Sequence, residues 1–505
     1  MKKYIVSICL GMVFLSSCSN WLDVQPKTTV EEEKVFSREL GFKEALTGVY
    51  IKMASTDLYA RNLSYGFIDI LGQRYQASDA LTYQNELWYT FPSTKTESYT
   101  KTIWEKMYNI IANVNNLLYY CDENKQVFTT GHYYEIIKGE ALGLRAFLHF
   151  DLLRMFGPVY KDNPTSKRIT YRTEFSKEIK ELQPSNVVMD SIISDLKKAE
   201  TLLTGTDPLN FEFPVSDYEE EDMGGDRFLV YRHKRMNLYA VKAMLARVYC
   251  YKGDAESKAL AVEYAKQVIA ASEYFTLYKS QTASSYNSIR YAEQIFGITV
   301  NEFSNLLISN YMDMENTNTQ QHFYLDGDKF NAFYETASAG NTDWRRIAEM
   351  FEVVDGGNQA NVFCRKYNQK PLNSGYTYSG ANAVPLIRLP EMYYIVAECA
   401  STASESAEAL NTVRFARGIS YSDEIPTTGY DDLDTTSEED KNQTKRINEI
   451  MKEYRKEYFA EGQLFYFLKA HNYSTYYGCG VETMTEAHYQ MTLPDDEYIF
   501  GNNSK

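Results

Sequence analysis

Apolar residues recur along much of the chain at steps of three and four, the spacing that gathers them on one face of an α-helix. Between residues 136 and 156, Ile137, Ala141, Leu144, Leu148, Leu152 and Met155 follow this step, and Gly157-Pro158 stops it. The pattern predicts a helix that buries one face. Leu238, Val241, Leu245 and Val248 repeat it, with Ala240, Ala243 and Ala246 as a stripe of small side chains that lets a neighbouring helix approach closely. Gly253-Asp254 breaks that run, and Leu260, Tyr264, Val268 and Ile269 begin a second helical face. Two helices in about 34 residues, joined by a short turn, have the size of a tetratricopeptide unit. A comparable pair is predicted at 391–399 and 407–417, with Pro390 suited to the first helical position and Gly418 to the stop. A third joins 102–120 to the helix that starts near Ile136. The predicted fold class is therefore mainly α, a helical scaffold of tetratricopeptide-like helix pairs with long irregular, loop-rich insertions at about 55–100 and 275–385. No Pro-rich or Gly/Ser-rich linker divides it, so residues 18–505 are expected to form one domain, with the acidic stretches 217–226 and 430–440 as surface loops.

The N-terminus has a different pattern. Met1-Lys2-Lys3 is basic, and residues 4–15 are an apolar run too short to cross a bilayer as a permanent helix, which together read as a secretory signal. Leu15-Ser16-Ser17-Cys18 follows, where an ordinary signal would end in a small-x-small site. This resembles the lipobox of bacterial lipoproteins. The resemblance implies that residues 1–17 are a lipoprotein signal peptide, that cleavage falls before Cys18, and that Cys18 carries the lipid through which the exported chain is anchored. No later segment offers about 18 consecutive apolar residues.

Composition narrows the partners. The 505 residues carry a formal charge of −16, which becomes −18 once Lys2 and Lys3 leave with the signal. That balance argues against nucleic acid or anionic lipid surfaces as partners. Cys121, Cys250, Cys364, Cys399 and Cys479 follow Cys18 without CxxC spacing, so disulfides are possible but not signalled. There are 43 tyrosines against 4 tryptophans. Tyrosine joins a flat apolar face to a polar tip, which suits half-buried packing and polar ligands alike.

Catalytic motifs are lacking. His132, His149, His233, His322, His471 and His488 show no metal-ligand spacing, and there is no GxSxG, P-loop or GxGxxG. Paired carboxylates act at a distance in space rather than in sequence, so a surface glycoside hydrolase stays open as the enzyme alternative. The string Asp326-Gly327-Asp328-Lys329-Phe330-Asn331 begins like a calcium loop, but Asn331 and Ala337 occupy the positions that need Gly and Glu. It reads as a polar turn. No cofactor and no metal ligand set are predicted.

Several blocks, taken in order, resemble the SusD/RagB family of outer-membrane nutrient-binding lipoproteins of Bacteroidetes: SSCSNWLDVQP at the start, EALGLRAFLHFDLLRMFGPV from Glu140, NLYAVKAMLARVYCYKGD from Asn237, PLIRLPEMYYIVAEC from Pro385, ALNTVRFARG from Ala409 and EYRKEYFAEGQ from Glu453. Two places depart from the family. Glu461-Gly462 is followed by Phe467-Leu468 and Ala470 where an Asp-Leu and an Arg are common, and LPDDEYIFG lacks a frequent Pro-Ile-Pro. The resemblance implies a lipid-anchored protein on the outer membrane, facing the cell exterior. It would act without catalysis as a lid over a SusC-type TonB-dependent transporter, capturing oligosaccharides. A peptide-binding lid of the same type and a tetratricopeptide adaptor that binds only protein are the other readings.

A sugar presents hydroxyl edges and C–H faces, so its site needs aromatic platforms with hydrogen-bonding neighbours. One region of that kind holds Arg74, Tyr75, Asp79, Tyr83, Asn85, Trp88 and Tyr89, and the family's glycan binders often place aromatics there. A second, between 301 and 344, holds Tyr311, His322, Phe323, Tyr324 and Tyr334. Arg74, Tyr75, Tyr83, Asn85, Trp88, Tyr89, Tyr311, Phe323 and Tyr324 are the candidate ligand contacts. Trp344, within Asp343-Trp344-Arg345, resembles a structural element of the family. Arg145, Arg247, Glu391, Glu398 and Arg414 fall on predicted helix contacts and are read as structural ion pairs or helix-dipole partners.

Overall fold

The computed structural model describes residues 32–76, 83–209, 227–279, 289–309, 322–346, 350–355, 360–367 and 382–501. Cys18, Tyr311, Asp79 and the acidic stretch 217–226 lie outside them. Ten helices carry the scaffold: α1 Glu39–Met53, α2 Thr94–Glu123, α3 Tyr133–Phe156, α4 Ser185–Leu203, α5 Leu238–Lys252, α6 Ala255–Ile269, α7 Leu389–Cys399, α8 Ala403–Ala416, α9 Lys445–Glu457 and α10 Gln463–His471.

Helix starts are set by side chains that take an otherwise unpaired backbone N–H. Ser93, Asn237, Asp254, Thr402 and Thr444 accept from the N–H groups of Thr96, Ala240, Ser257, Glu405 and Ile447. Gly253 ends α5 at φ +78, a left-handed conformation that costs a residue with a Cβ, and Asp254 caps α6 at once. A turn this short forces α5 and α6 to pack antiparallel, and the Ala240, Ala243 and Ala246 stripe is fully buried. α7 packs on α8, and α6 on α7, so the two predicted pairs stack. The mainly α expectation holds.

Three details differ from the sequence reading. α3 packs on α2 as expected but more extensively on α4, whose Val188, Met189, Ile192, Leu196, Ala199 and Leu203 make a buried stripe that the pattern search passed over. α3 itself is buried on every side from Gly139 to Phe156, including Arg145, His149, Asp151 and Arg154, so its apolar stripe understated its depth. Pro390 sits in the first turn of α7, after Leu389.

The insertion at about 275–385 supplies the main strands. β1 Lys167–Ile169 and β2 Gln183–Pro184 form a small ladder, whereas β3 Gln294–Thr299 pairs antiparallel with β7 Ala383–Arg388. β4 Leu325–Asp326, β5 Phe351–Asp355 and β6 Ala360–Cys364 make a sheet in the order β4-β6-β5.

Where β7 meets α9 the core is ionic. Glu457 Oε1 accepts from Arg290 at 2.6 Å, Arg388 at 2.7 Å and Arg417 at 3.0 Å, and its Oε2 accepts from Arg417 at 3.0 Å and Arg345 at 3.3 Å. Glu293 and Glu461 share Arg388, Glu293 also meets Arg417, and Lys366 pairs with Glu461. Arg345 is chelated by Asp343 and reaches Glu453, while Lys456 joins Glu453 to Glu335. Arg414 also lies beside Glu453, and Lys452 joins Glu335 to Glu449, so cations and carboxylates alternate through the network, which lets this many charges leave water together. Burial alone would raise the Glu457 carboxyl, but Arg417, Arg290 and Arg388 outweigh it and hold it well below the usual carboxylate range. At Glu453 burial is likewise overcome by Arg345 and Lys456, bringing it to about 2.

The structural reading of Trp344 holds. Its Nε1 donates to Ala416 O at 3.0 Å, and Arg290 and Arg417 lie over its ring. The other expected ion pairs form as Arg145 with Asp195, Arg247 with Glu391, Glu398 with His471, and Arg414 with Glu453 at 3.9 Å, Arg414 also donating to Asn411 Oδ1. Gly462 closes the Glu461-Gly462 turn at φ +69, where a Cβ would fall 2.2 Å from Ile68 Cγ2. The 430–440 segment is exposed over most of its length, as predicted, but Glu439 and Asp440 turn inward to Arg455 and Ser474.

Candidate ligand-binding surface

The two candidate regions, more than two hundred residues apart in sequence, meet. Gln76 and Tyr324 exchange backbone hydrogen bonds of 2.6 and 3.1 Å. The Phe323 ring lies 6.1 Å from Tyr75 and 6.3 Å from Tyr83, and Tyr83 also contacts Tyr99 and Phe67. One aromatic layer therefore underlies both.

Most of the predicted ligand contacts belong to that layer rather than to its outer face. Arg74 is fully buried, donating to Asp69 Oδ1 and to the carbonyls of Arg455 and Tyr458, with its guanidinium 4.2 Å from the Phe459 ring. Tyr75 donates to Asp69 Oδ2 at 2.8 Å, Tyr83 to Asn62 Oδ1 at 2.6 Å, and Tyr89 to Leu71 O. Phe323 and His322 are buried, and Tyr334 donates inward to Lys456 O. Arg74, Tyr75, Tyr83, Tyr89 and Phe323 are thus corrected from ligand contacts to supports: all five are buried, and the polar tips of the first four are already paired.

What these supports hold is an unusual loop. Gln73, Tyr83 and Tyr89 adopt φ of +57, +66 and +49, a conformation that costs a non-glycine residue of order 1 kcal/mol and persists when the side chain is anchored. Between the two left-handed tyrosines runs a short helix, Gln84–Leu87. Its Glu86 and Leu87 face inward, Tyr89 turns inward again, and Trp88 is directed out at 52% exposure. Trp88 Nε1 donates to Gln84 Oε1 at 3.2 Å, which restrains the ring across one helical turn. Glu86 accepts from Thr96 Oγ1 at 2.5 Å, and burial lifts its carboxyl above the usual range.

Asn85 and Tyr324 are half-buried. Asn85 Oδ1 accepts from Thr90 Oγ1 at 3.2 Å, and the Tyr324 ring lies 6.1 Å from Phe363. Gln84 and Phe363 were missed by sequence reasoning. The Gln-x-x-x-Trp step could have identified the first, but only strand pairing brings the second to Tyr324. Asp326 is a helix cap, not a free turn: its Oδ1 accepts from the N–H groups of Asp328 and Lys329 at the start of the short helix Gly327–Phe333. Grooves of about 460 and 500 Å³ flank the 170–184 segment, and another of about 450 Å³ lies beside Tyr50 and Arg235; Trp88 lines none of these. Among the described residues the indole is left about half exposed.

Comparison with known proteins places this arrangement. Residues 20–210 match a family model described as starch-binding associating with outer membrane, and residues 285–469 match that of the SusD family. The chain belongs to the SusD/RagB family. A SusD-like protein, P38, from Formosa agariphila is 23% identical over 203 residues, a match that spans 40% of this chain and 37% of that protein's length. A SusD superfamily protein from Bacteroides thetaiotaomicron superposes with a TM-score of 0.69 at 18% identity, covering 92% of this chain and 98% of that one. A SusD-like carbohydrate binding protein from Bacteroides vulgatus gives 0.66 at 17%, covering 92% and 97%. These likenesses concern the fold. Of the two SusD matches, the first contains the Trp88 loop, and the second contains Tyr324 together with α7, α8 and the ionic hub. Among the described residues no helix is long and apolar enough to cross a membrane.

Proposed function

We propose that this SusD-type protein captures nutrient oligosaccharides at the cell surface and passes them to a SusC-type TonB-dependent transporter, acting as a lid and without catalysis. The observation that carries the reading is Trp88: an exposed indole, restrained by Gln84 and set on a layer of anchored tyrosines, offers a flat face already fixed before ligand arrives. A platform that has lost its freedom in advance costs less to engage on binding. Asn85, on the same short helix as Gln84, and Tyr324, bridged to Gln76 beside the same aromatic layer, are half-buried and add a polar and an aromatic group. The open setting suits a chain of sugar rings better than a small ligand enclosed on all sides. Family membership supports the carbohydrate class, as does the fold shared with the SusD-like carbohydrate binding protein of Bacteroides vulgatus.

In this reading residues 18–505 act as one SusD-like domain, and lipidation of Cys18 tethers it beside the transporter. Tethering raises the effective concentration of lid over pore. The test is a binding assay with a turnover arm. The full-length protein, incubated for a day with host and plant glycans, retains some of them and shortens none. Reducing ends that accumulate in proportion to protein would replace the lid by a glycoside hydrolase, and retention of peptides alone would move the ligand class.

A further inference from the structure

The C-terminal ends of α5, α7 and α10 converge on a cluster that ligand capture leaves unused. Cys250 Sγ and Cys399 Sγ are 3.4 Å apart. A Glu398 carboxylate oxygen joins them in a set of three ligand-type atoms, all within 4.8 Å of one another. His471 places Nε2 3.0 Å from Glu398 Oε1. Cys399 is buried, whereas Cys250, Glu398 and His471 are half-buried, so the cluster is reachable from solvent. A small cavity of about 50 Å³, lined by Cys250, Glu398, Tyr454 and Phe467 among others, adjoins it and has room for a water molecule.

We propose that Cys250, Glu398 and Cys399 form a binding site for a divalent cation of the zinc class, with water from the cavity as fourth ligand and His471 as the residue that positions the carboxylate. Spacing favours this over a disulfide. In a tetrahedral zinc site with Zn–S of about 2.3 Å, two sulfurs stand about 3.8 Å apart, so the pair must part by only about 0.4 Å. A disulfide requires them to close to about 2.0 Å, more than three times that movement. Charge is compatible with this: once both thiol protons leave, two thiolates and a carboxylate carry three negative charges, His471 faces only the carboxylate, and the two guanidiniums lining the same cavity are committed elsewhere, Arg154 to Asp151 and Arg247 to Glu391. A bound dication supplies the missing positive charge: the metal takes two thiolate sulfurs and one carboxylate oxygen, and both thiol protons leave to solvent. Sulfur donors select zinc, cobalt or cadmium over calcium and magnesium. The Glu398 to His471 contact fixes the orientation of the carboxylate from behind, as outer partners do in metal sites.

The test uses the full-length chain in detergent, reduced and held without oxygen, titrated with cobalt(II) and then with zinc. One cobalt per chain is expected, with thiolate-to-cobalt charge-transfer absorption that zinc abolishes. Cys250→Ser and Cys399→Ser, each checked for native helicity by circular dichroism, lose that absorption. His471→Ala keeps it and binds cobalt about 10–100-fold more weakly. The proposal is overturned if the parent shows no charge-transfer absorption, if either serine variant retains it, or if protein isolated from the outer membrane has Cys250 and Cys399 joined as a disulfide, two hydrogens lighter. None of these outcomes bears on oligosaccharide binding at Trp88.

Discussion

Replacing Glu457 by Gln tests the ionic hub with almost no change in shape. The carboxylate accepts from four guanidiniums, those of Arg290, Arg345, Arg388 and Arg417. Its amide counterpart keeps one oxygen, turns an NH2 towards cations and leaves the four guanidiniums with one negative charge fewer. Breaking a buried ion pair from one side costs about 3–5 kcal/mol, because the remaining charge stays out of water unpaired. Unfolding entropy of about 2.1 cal/mol/K per residue gives about 1 kcal/mol/K for a chain of 505 residues, so the melting temperature should fall by about 3–5 °C. Scanning calorimetry at neutral pH measures this, with Asp496→Asn as control because its partner Lys101 is half exposed and the pair contributes little. The pH dependence carries a sign. Glu457 and Glu453 have folded values depressed below the ordinary 4.5, Glu453 to about 2, so their stabilisation is complete above the unfolded value and disappears as pH falls through the folded one. The parent's melting temperature should hold from pH 7 to about 5 and decline from about 4.5 towards 2, and Glu457→Gln should decline less steeply. A variant melting within 1 °C of the parent, with the same acid slope, would show that the hub is hydrated and weak, and the reasoning from burial would fail.

The remaining predictions concern the surface and the anchor. Trp88→Ala should weaken oligosaccharide binding by about 1–3 kcal/mol and change stability by less than about 0.5 kcal/mol, since the indole is half exposed and makes one hydrogen bond to Gln84. Tyr83→Ala should do the reverse, costing about 3 kcal/mol of stability through a lost buried ring, with affinity per folded molecule intact only if the loop keeps its left-handed turn. Isothermal titration beside thermal melts separates the two, and unchanged affinity in Trp88→Ala would remove the platform from the site. Cys18→Ala, in a strain lacking the partner transporter, should release the protein from the membrane fraction or block its maturation. Full retention at normal abundance would refute lipid anchoring at that residue.

Much of the scaffold was legible because helix burial leaves a local trace. The stop at Gly253, the cap at Asp254 and the alanine stripe lie within a few residues of one another, and each acts through its own backbone or its nearest turn. The structural charges were legible for a related reason. Arg247 and Glu391 sit among apolar helix positions, where an unpaired charge would be costly, so a partner had to exist. The signal failed where charges were dense. The α9 sequence KRINEIMKEYRKE is mostly charged, and the helical pattern search assigned it no buried face, yet Arg446, Glu453, Arg455, Lys456 and Glu457 are all buried. Nothing local distinguishes a charged helix in water from one whose countercharges arrive from β7, α8 and the 290–293 turn.

The binding surface shows the same division. By itself the sequence determined that two loops are rich in tyrosine, phenylalanine and amides and lie outside the helical periods. It could not say which rings face out, since Tyr83, Trp88 and Tyr89 are equally able to stack on a sugar or to fill a core. That choice was made by long-range pairing: the Gln76 to Tyr324 bridge brings Phe323 over Tyr75 and Tyr83, and Asn62 and Leu71 O take the hydroxyls of Tyr83 and Tyr89. A tyrosine whose face and tip are both satisfied becomes support. Trp88, one residue from Tyr89 and turned by the short helix before it, is left with its face in water. Element type follows from nearest neighbours along the chain, whereas exposure depends on partners hundreds of residues away that only the folded chain brings together.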